Sequence, residues 1–538
     1  MYRINKIVMV VALVSLMSCT QEKKVVNIIP KPNEITFVRG SFNLSGSSAF
    51  VSETLPLECK EYVKGFMEQL STACGEKSEL SDKGNVRFLY DEQLPKESYR
   101  IKSERKGLTI SASDYNGIIY AIQSIKQMLP VSIYTGKAAV NDVWSIPCGT
   151  INDGPRFHYR GLMLDCSRHF FSIDEVKKII DVMEIHKLNR LHWHLTDDQG
   201  WRIEIKKYPE LTKVGAYRDG TCIGKDFESD DGIKYGGFYT QEELKDIVSY
   251  AATRGITIIP EIDLPGHMQA ALSSYPKLGC TGGPYKVWKR WGVSNDVLCI
   301  GKESTFTFLE DVLSEICDIF PSEYIHIGGD ECPTERWKTC PACQAKIASL
   351  GIKGDEKYST EHYLQSYTTE KVSNILASKG RKIIGWDEIL EGKIADGATV
   401  MSWRGSEGGV NAALAGHDAI MTPNSHFYLD HYQSENVDEE PLAIGGYSPV
   451  EHVYGYDIDI VPELAGHILG VQANMWTEYI TTDSHLEYMI LPRLAALSEV
   501  QWCHVANKDW NRFANDMQHI RIIYDLLGYN YATHMFDK

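Results

Sequence analysis

The sequence predicts an α/β protein: a (β/α)8 barrel preceded by a smaller α+β domain. Three observations predict it. Eight short apolar runs recur from residue 160 onward, most are separated by stretches with helical apolar spacing, and each leads into a polar or aromatic group. Near-continuous apolar runs suit strands buried on both faces of a parallel sheet, and eight of them with helices between suit a closed barrel. Such a barrel carries its active site where the strands end. The row of Asp, Glu, Trp and His at those ends is therefore the candidate site.

Arg3 and Lys6 precede an apolar stretch from Ile7 to Met17, too short for an ordinary spanning helix. This reads as a secretory signal, and Leu16-Met17-Ser18-Cys19 resembles a bacterial lipobox, with Cys19 as the lipidated mature N-terminus. The expected protein is exported and lipid-anchored to a bacterial membrane, on the periplasmic side or at the cell surface. A polar tether, Thr20 to Lys24, leads into an α+β domain over residues 25–150. There, strand-like pieces such as Val86–Tyr90 and Tyr99–Lys102 precede one amphipathic helix, from Asp114 as N-cap to Leu129, closed by Pro130. Turn residues from Ala138 to Pro155 predict a linker, and the barrel is expected over residues 155–505.

The barrel runs are Arg160–Asp165, Arg190–Asp197, Ile256–Asp263, Tyr324–Glu331, Lys382–Asp387, Thr399–Trp403, Ala419–Thr422 and Leu469–Trp476. Helical spacing falls at Ile173–His186, Gln241–Arg254, Phe306–Phe320 and Tyr363–Lys379. Connections after the second, third, seventh and eighth runs are long, as substrate-contacting loops commonly are. Residues 506–538 predict a helical tail, Asp509 to Leu527, packed on the barrel.

A net charge of −17 argues against nucleic-acid or anionic-membrane surfaces as partners, leaving the lipid as the membrane attachment. The 11 Trp and 29 Tyr offer both core packing and apolar platforms for sugar rings. Cys280 and Cys299 flank a Gly-rich insertion that a disulfide would brace. Cys340-Pro-Ala-Cys343 has metal or redox spacing, but no second such pair stands beside it, so a disulfide or free thiols is expected and no metal.

The fourth run ends in His326-Ile-Gly-Gly-Asp330-Glu331. Two adjacent carboxylates at the mouth of an apolar strand allow one to stay protonated while its neighbour is ionised, a division suited to acid-catalysed glycosidic cleavage. This segment resembles the His-x-Gly-Gly-Asp-Glu signature of glycoside hydrolase family 20, the β-N-acetylhexosaminidases. So do Gly161–Phe170, His192–Arg202, Pro260–His267, Gly385–Glu388 and Trp476–Glu478, in order, and the preceding α+β domain is a habit of the same family.

The resemblance implies retaining, substrate-assisted catalysis, in which the substrate's own 2-acetamido oxygen is the nucleophile. It makes Glu331 the acid and base, Asp330 the group that orients the acetamido N–H, and Tyr428 the donor to its oxygen. Arg168, Asp430 and Glu478 would hold hydroxyls, and Trp386, Trp403 and Trp476 would wall the pocket. His267 and the pair Asp197-Asp198 would tune the acid, either aspartate serving. His192, His194 and His326 are expected to be internally satisfied, and Glu261 and Asp263 to support the contacting residues. No cofactor and no metal is implied. The expected partner is a glycan ending in β-linked GlcNAc or GalNAc. A family 18 chitinase would need an Asp-x-x-Asp-x-Asp-x-Glu strand, which is missing, and a non-catalytic glycan-binding relative would have lost one of the two carboxylates, yet both are present. Cys332 and the insertion between Cys280 and Cys299 depart from the family pattern.

Overall fold

The computed structural model describes residues 26–458 and 461–537. The leader, Cys19 and the tether lie outside the described residues. The N-terminal domain is a seven-stranded mixed sheet in the spatial order Glu34–Asn43, Ser145–Asp153, Tyr99–Glu104, Gly107–Ala112, Val86–Tyr90, Ser48–Val51, Glu79–Leu80. Two helices, Leu57–Cys74 and Tyr115–Met128, pack on it. The second starts where expected, the Asp114 carboxylate accepting from the Gly117 N–H.

The structure departs from the sequence expectation at two places in this domain. Leu57–Cys74 was not anticipated, although Cys59, Val63, Phe66, Met67, Leu70 and Cys74 form its buried stripe; the charged residues between them dilute the pattern. Nor is the segment before the barrel all linker. Ser145–Asp153 is an internal strand, paired on both sides with Glu34–Asn43 and Tyr99–Glu104. Its Pro147 suggested a turn, because proline removes a ladder donor. The sheet accommodates it beside an irregularity in the pairing with Phe37–Ser41.

Eight parallel strands close the barrel: Tyr159–Asp165, Arg190–His194, Thr257–Glu261, Tyr324–His326, Lys382–Trp386, Thr399–Ser402, Ala419–Met421 and Ile468–Met475, the eighth pairing back to the first. Every residue of the first strand is buried, as a strand covered on both faces requires. The outer helices bear clear start signals. Ser172 caps Ile173–Ile185, and Thr240 with Glu243 forms a capping box before Gln241–Ala252. Tyr159, Ile259, Ile384, Trp386, Met401 and Ile420 fill the barrel interior. Toward the strand ends that interior turns polar, with His192, Glu261, His326 and Gln472 all buried. The connection after the fourth strand is also long and carries two short helices, Glu335–Thr339 and Pro341–Leu350.

Buried polar contacts and a shared core join the two domains. Lys187 is fully enclosed and donates to Tyr99 Oη and Ser124 Oγ, both at 2.9 Å, with Asp153 Oδ2 at 3.3 Å. Arg160, near the start of the first barrel strand, reaches Glu97 Oε1 at 3.0 Å and Tyr120 Oη at 2.6 Å. Trp502, the last residue of helix Arg493–Trp502, belongs with Cys503 to the core of the N-terminal domain, and its indole N–H donates to Asp153 Oδ1 at 2.9 Å. The tail helix Trp510–Leu527 starts on an Asp509 cap and buries Phe513, Met517, Ile520 and Tyr524 in the core of the barrel domain. Among the described residues no helix is long and apolar enough to cross a membrane.

Candidate active site

The fourth strand spans only Tyr324–His326, and the chain then turns through Gly328 and Gly329 to present Asp330 and Glu331. Glycine is required at 328: φ is +65°, and a Cβ would stand 1.7 Å from Asp263 Oδ1. Glu331 and His267 also hold positive φ, +45° and +49°. Bulky residues seldom adopt that conformation, and such strain concentrates at functional sites. Both carboxylates line a cavity of about 400 Å³, with Arg168, Trp291, Trp386, Trp403, Tyr428, Asp430, Trp476 and Glu478 around it. A larger cavity of about 720 Å³ lies by Tyr447, Trp510 and His534. It contains none of these strand-end groups, so the smaller one is the candidate site.

His267 stands between the carboxylates and the barrel. Its Nδ1 is 3.1 Å from Asp197 Oδ1 and 3.4 Å from Asp198 Oδ2, while Nε2 faces Asp330 Oδ2 at 3.7 Å and Glu331 Oε2 at 3.6 Å. These acidic neighbours outweigh burial and hold the imidazole charged, well above its ordinary pKa. Asp197 is thus the nearer aspartate, and it also meets Arg168 Nη2 and His194 Nε2 at 2.9 Å each. Asp198 stands behind, accepting the backbone N–H groups of Gln269 and Ser294.

A second layer converges on Glu261. His192 Nε2 and His326 Nδ1 approach its oxygens at 2.9 Å, His194 Nδ1 at 2.5 Å, and the Trp386 indole N–H donates at 3.0 Å. These partners hold its carboxyl well below the usual range despite full burial. Both ring nitrogens of His192 and of His194 are internally engaged, as expected, whereas His326 keeps Nε2 buried without a partner. Trp386 and Trp476 pack with ring centres 5.8 Å apart, Trp403 stacks on Tyr428 at 6.0 Å, and the Arg168 guanidinium lies 4.9 Å over Trp476. The Trp403 N–H donates to Glu388 Oε2 at 3.0 Å. Glu388 was legible only as part of a motif; burial and the nearby Asp330 charge raise its pKa to about 8. Trp291, from the Cys280–Cys299 insertion, and Tyr479 complete the rim.

Burial, with the charges of Glu261 and Glu331 adding and His267 opposing, raises Asp330 to about 6. The facing His267 imidazolium holds Glu331 below the ordinary glutamate range. Burial also raises Asp430 and Glu478, Glu478 adding to the effect at Asp430 and Arg168 opposing it at Glu478. Among the described residues, Asp330 Oδ1, Asp430 Oδ1, Glu478 Oε2 and His267 Nε2 are buried without a hydrogen-bond partner. Buried polar atoms are ordinarily paired, so four orphans around one cavity form a ready template for a ligand rich in hydroxyl and amide groups. Cys332 lies just behind the pair as a neutral thiol, its pKa raised by burial.

Residues 157–505 match the model of glycosyl hydrolase family 20, catalytic domain, and residues 25–154 that of glycosyl hydrolase family 20, domain 2. The chain is 42% identical to a β-hexosaminidase of Porphyromonas gingivalis over 96% of its own length and 67% of that protein's. It superposes with a TM-score of 0.81 on the exo-β-N-acetylglucosaminidase of Vibrio harveyi, at 32% identity, covering 94% of this chain and 78% of that one. The β-N-acetylhexosaminidase of Streptomyces coelicolor gives the same TM-score at 30% identity, covering 94% and 97%. Barrel, preceding domain and strand-end carboxylates agree with these matches, and the chain belongs to glycosyl hydrolase family 20.

Proposed function

We propose that Glu331, Asp330 and Tyr428 carry out retaining, exo-acting β-N-acetylhexosaminidase chemistry on terminal β-linked GlcNAc or GalNAc. The observation that carries this reading is the Asp330–Glu331 pair facing one aromatic-walled cavity of about 400 Å³. The acetamido oxygen attacks the anomeric carbon, the glycosidic C–O bond breaks, and Glu331 gives its proton to the departing oxygen. The resulting oxazolinium ring is cationic at nitrogen, where Asp330 accepts the N–H and offsets the charge. Water then attacks the same carbon, Glu331 takes its proton, and two inversions yield net retention. A neutral amide is a weak nucleophile, so alignment by Asp330, Tyr428 and the tryptophans supplies much of the rate. Arg168, Asp430 and Glu478 provide one fork of donors and two acceptors for ring hydroxyls.

In the free pocket the shared proton favours Asp330 over Glu331, the reverse of what cleavage needs. Substrate corrects this. Its amide N–H stabilises ionised Asp330, while the aglycone strips water from Glu331, whose side chain is 45% exposed, and raises its proton affinity.

The test is release of 4-nitrophenol from its β-GlcNAc, β-GalNAc and β-glucose conjugates, with a thiazoline mimic of the cyclic intermediate as inhibitor. Turnover of the two acetamido sugars, blocked by thiazoline and absent for the glucoside, is expected. Comparable turnover of the glucoside would overturn acetamido participation.

The leader supports a companion proposal: Arg3, Lys6, the apolar stretch and Cys19 direct export and lipid attachment to a bacterial membrane. The chain is then expected to partition into detergent when expressed in a lipoprotein-processing bacterium, and Cys19→Ser to abolish that partitioning. Equal partitioning of both would refute the anchor.

A further inference from the structure

Cys280 and Cys299 bracket the insertion after the third barrel strand, and Cys340 and Cys343 open helix Pro341–Leu350. The fold brings these separate segments together. All four Sγ atoms lie within 4.8 Å of one another. Cys299 stands 3.6 Å from both Cys340 and Cys343, and Cys343 stands 3.9 Å from Cys280. Four thiolates bound at about 2.3 Å to a tetrahedral zinc are about 3.8 Å apart along each edge. Three of the six sulfur–sulfur edges match those of such an ion, and the other three are no longer than 4.8 Å. Two disulfides would sort the four into exclusive couples, whereas Cys299 is shared evenly between two neighbours.

The surroundings are built for this convergence. Gly301 lies so close to the neighbouring segment that a Cβ there would be 2.1 Å from the Ala342 carbonyl carbon and 2.4 Å from Cys343 N. Only glycine lets the two cysteine-bearing backbones touch. The Gly301 N–H is directed at Cys343, and the Lys302 charge stands near Cys299. Lys302 is held there by the carbonyls of Lys277 and Gly279, at 2.8 and 2.7 Å. Cys340 and Cys343 occupy the N-cap and first turn of a ten-residue helix, whose dipole favours thiolates. Cys299, Cys340 and Cys343 are buried and Cys280 is half-buried.

We propose that Cys280, Cys299, Cys340 and Cys343 bind one zinc ion as a structural tetrathiolate site. This replaces the expectation of a disulfide or free thiols, and of no metal. That expectation rested on the missing second pair, which the fold supplies from 41 and 63 residues away. The ion would clamp the insertion to the segment that follows Glu331. The clamp is continued by the Trp337 indole donating to the Leu298 carbonyl at 2.9 Å and by Arg336 with Asp296 at 2.7 Å. Through Ser294 it reaches Asp198, which backs His267.

The test is elemental analysis of the full-length protein, purified without a metal-affinity step, together with alkylation of its cysteines after denaturation in chelator without reductant. About one equivalent of zinc is expected, with all four cysteines alkylated. Cobalt exchange should give the visible bands of a tetrahedral thiolate complex. Cys299→Ser, or the half-buried Cys280→Ser, should lose the metal. Absence of zinc, iron in its place, or the four cysteines recovered as two disulfides in the wild-type protein would overturn the proposal, whether or not either variant folds.

Discussion

Glu331→Gln is expected to leave substrate affinity nearly intact and to lower kcat by about 10²–10⁴-fold on glycans with poor leaving groups. The substitution preserves shape but removes the transferable proton. Glu331 touches the rest of the pocket mainly through the His267 imidazolium, 3.6 Å away, so little packing is lost. The size of the loss should track the leaving group: a natural alkoxide needs protonation, whereas an activated nitrophenolate departs with less help. Steady-state kinetics on a chitobiose-type substrate beside an aryl glycoside measures this contrast. Near-normal turnover on the disaccharide would remove Glu331 from the acid role.

Asp330→Asn is expected to cost about 10²–10³-fold on substrates bearing the 2-acetamido group, the scale of losing one group aimed at developing charge. Any residual turnover of a sugar without that group should be far less affected, and equal damage to both would argue against assisted catalysis. The pH profile gives a second readout. The productive form of the free enzyme carries one proton between Asp330 and Glu331, a coupled pair. That proton leaves as pH rises through about 6, the value to which burial first, and then the facing carboxylates, raise Asp330. The rate constant kcat/KM should therefore fall on the alkaline side of about 6. In Asp330→Asn the remaining proton belongs to Glu331, which His267 holds below the ordinary range, so the limb should move to lower pH. A limb that stays in place would show that another group governs it.

Much of this site could be read in advance because barrel chemistry is punctuated by strand ends. Each run ended at or shortly before a site residue, and the structure gathers Arg168, Asp330, Trp386, Trp403, Tyr428, Asp430, Trp476 and Glu478 around one volume, with Asp197 and His267 directly behind. What could not be read depends on through-space neighbours. Nothing local distinguishes Asp197 from Asp198; only the fold shows that Asp197 faces both Arg168 and His267. Glu388 gains its raised pKa from burial beside Asp330, 58 positions earlier in the chain. Pro147 concealed an internal strand because one unfavourable residue weighs heavily in a local reading, although eight neighbours satisfy the sheet. The four cysteines stayed unconnected because only the fold brings together segments 41 and 63 residues apart.

The placement of Trp502 bears on how the chain is synthesised. The N-terminal sheet and helices are complete by residue 153, yet a tryptophan made about 350 residues later occupies their core and takes the Asp153 hydrogen bond. A ribosome that has released the first domain has therefore released it with an open wall, leaving Tyr120 without its tryptophan neighbour and Asp153 Oδ1 without the indole donor until helix Arg493–Trp502 emerges. The smaller domain is begun first, yet its core is completed only from the far end of the barrel. A nascent chain cut short before residue 502 therefore lacks part of the smaller domain's core as well as the end of the barrel domain.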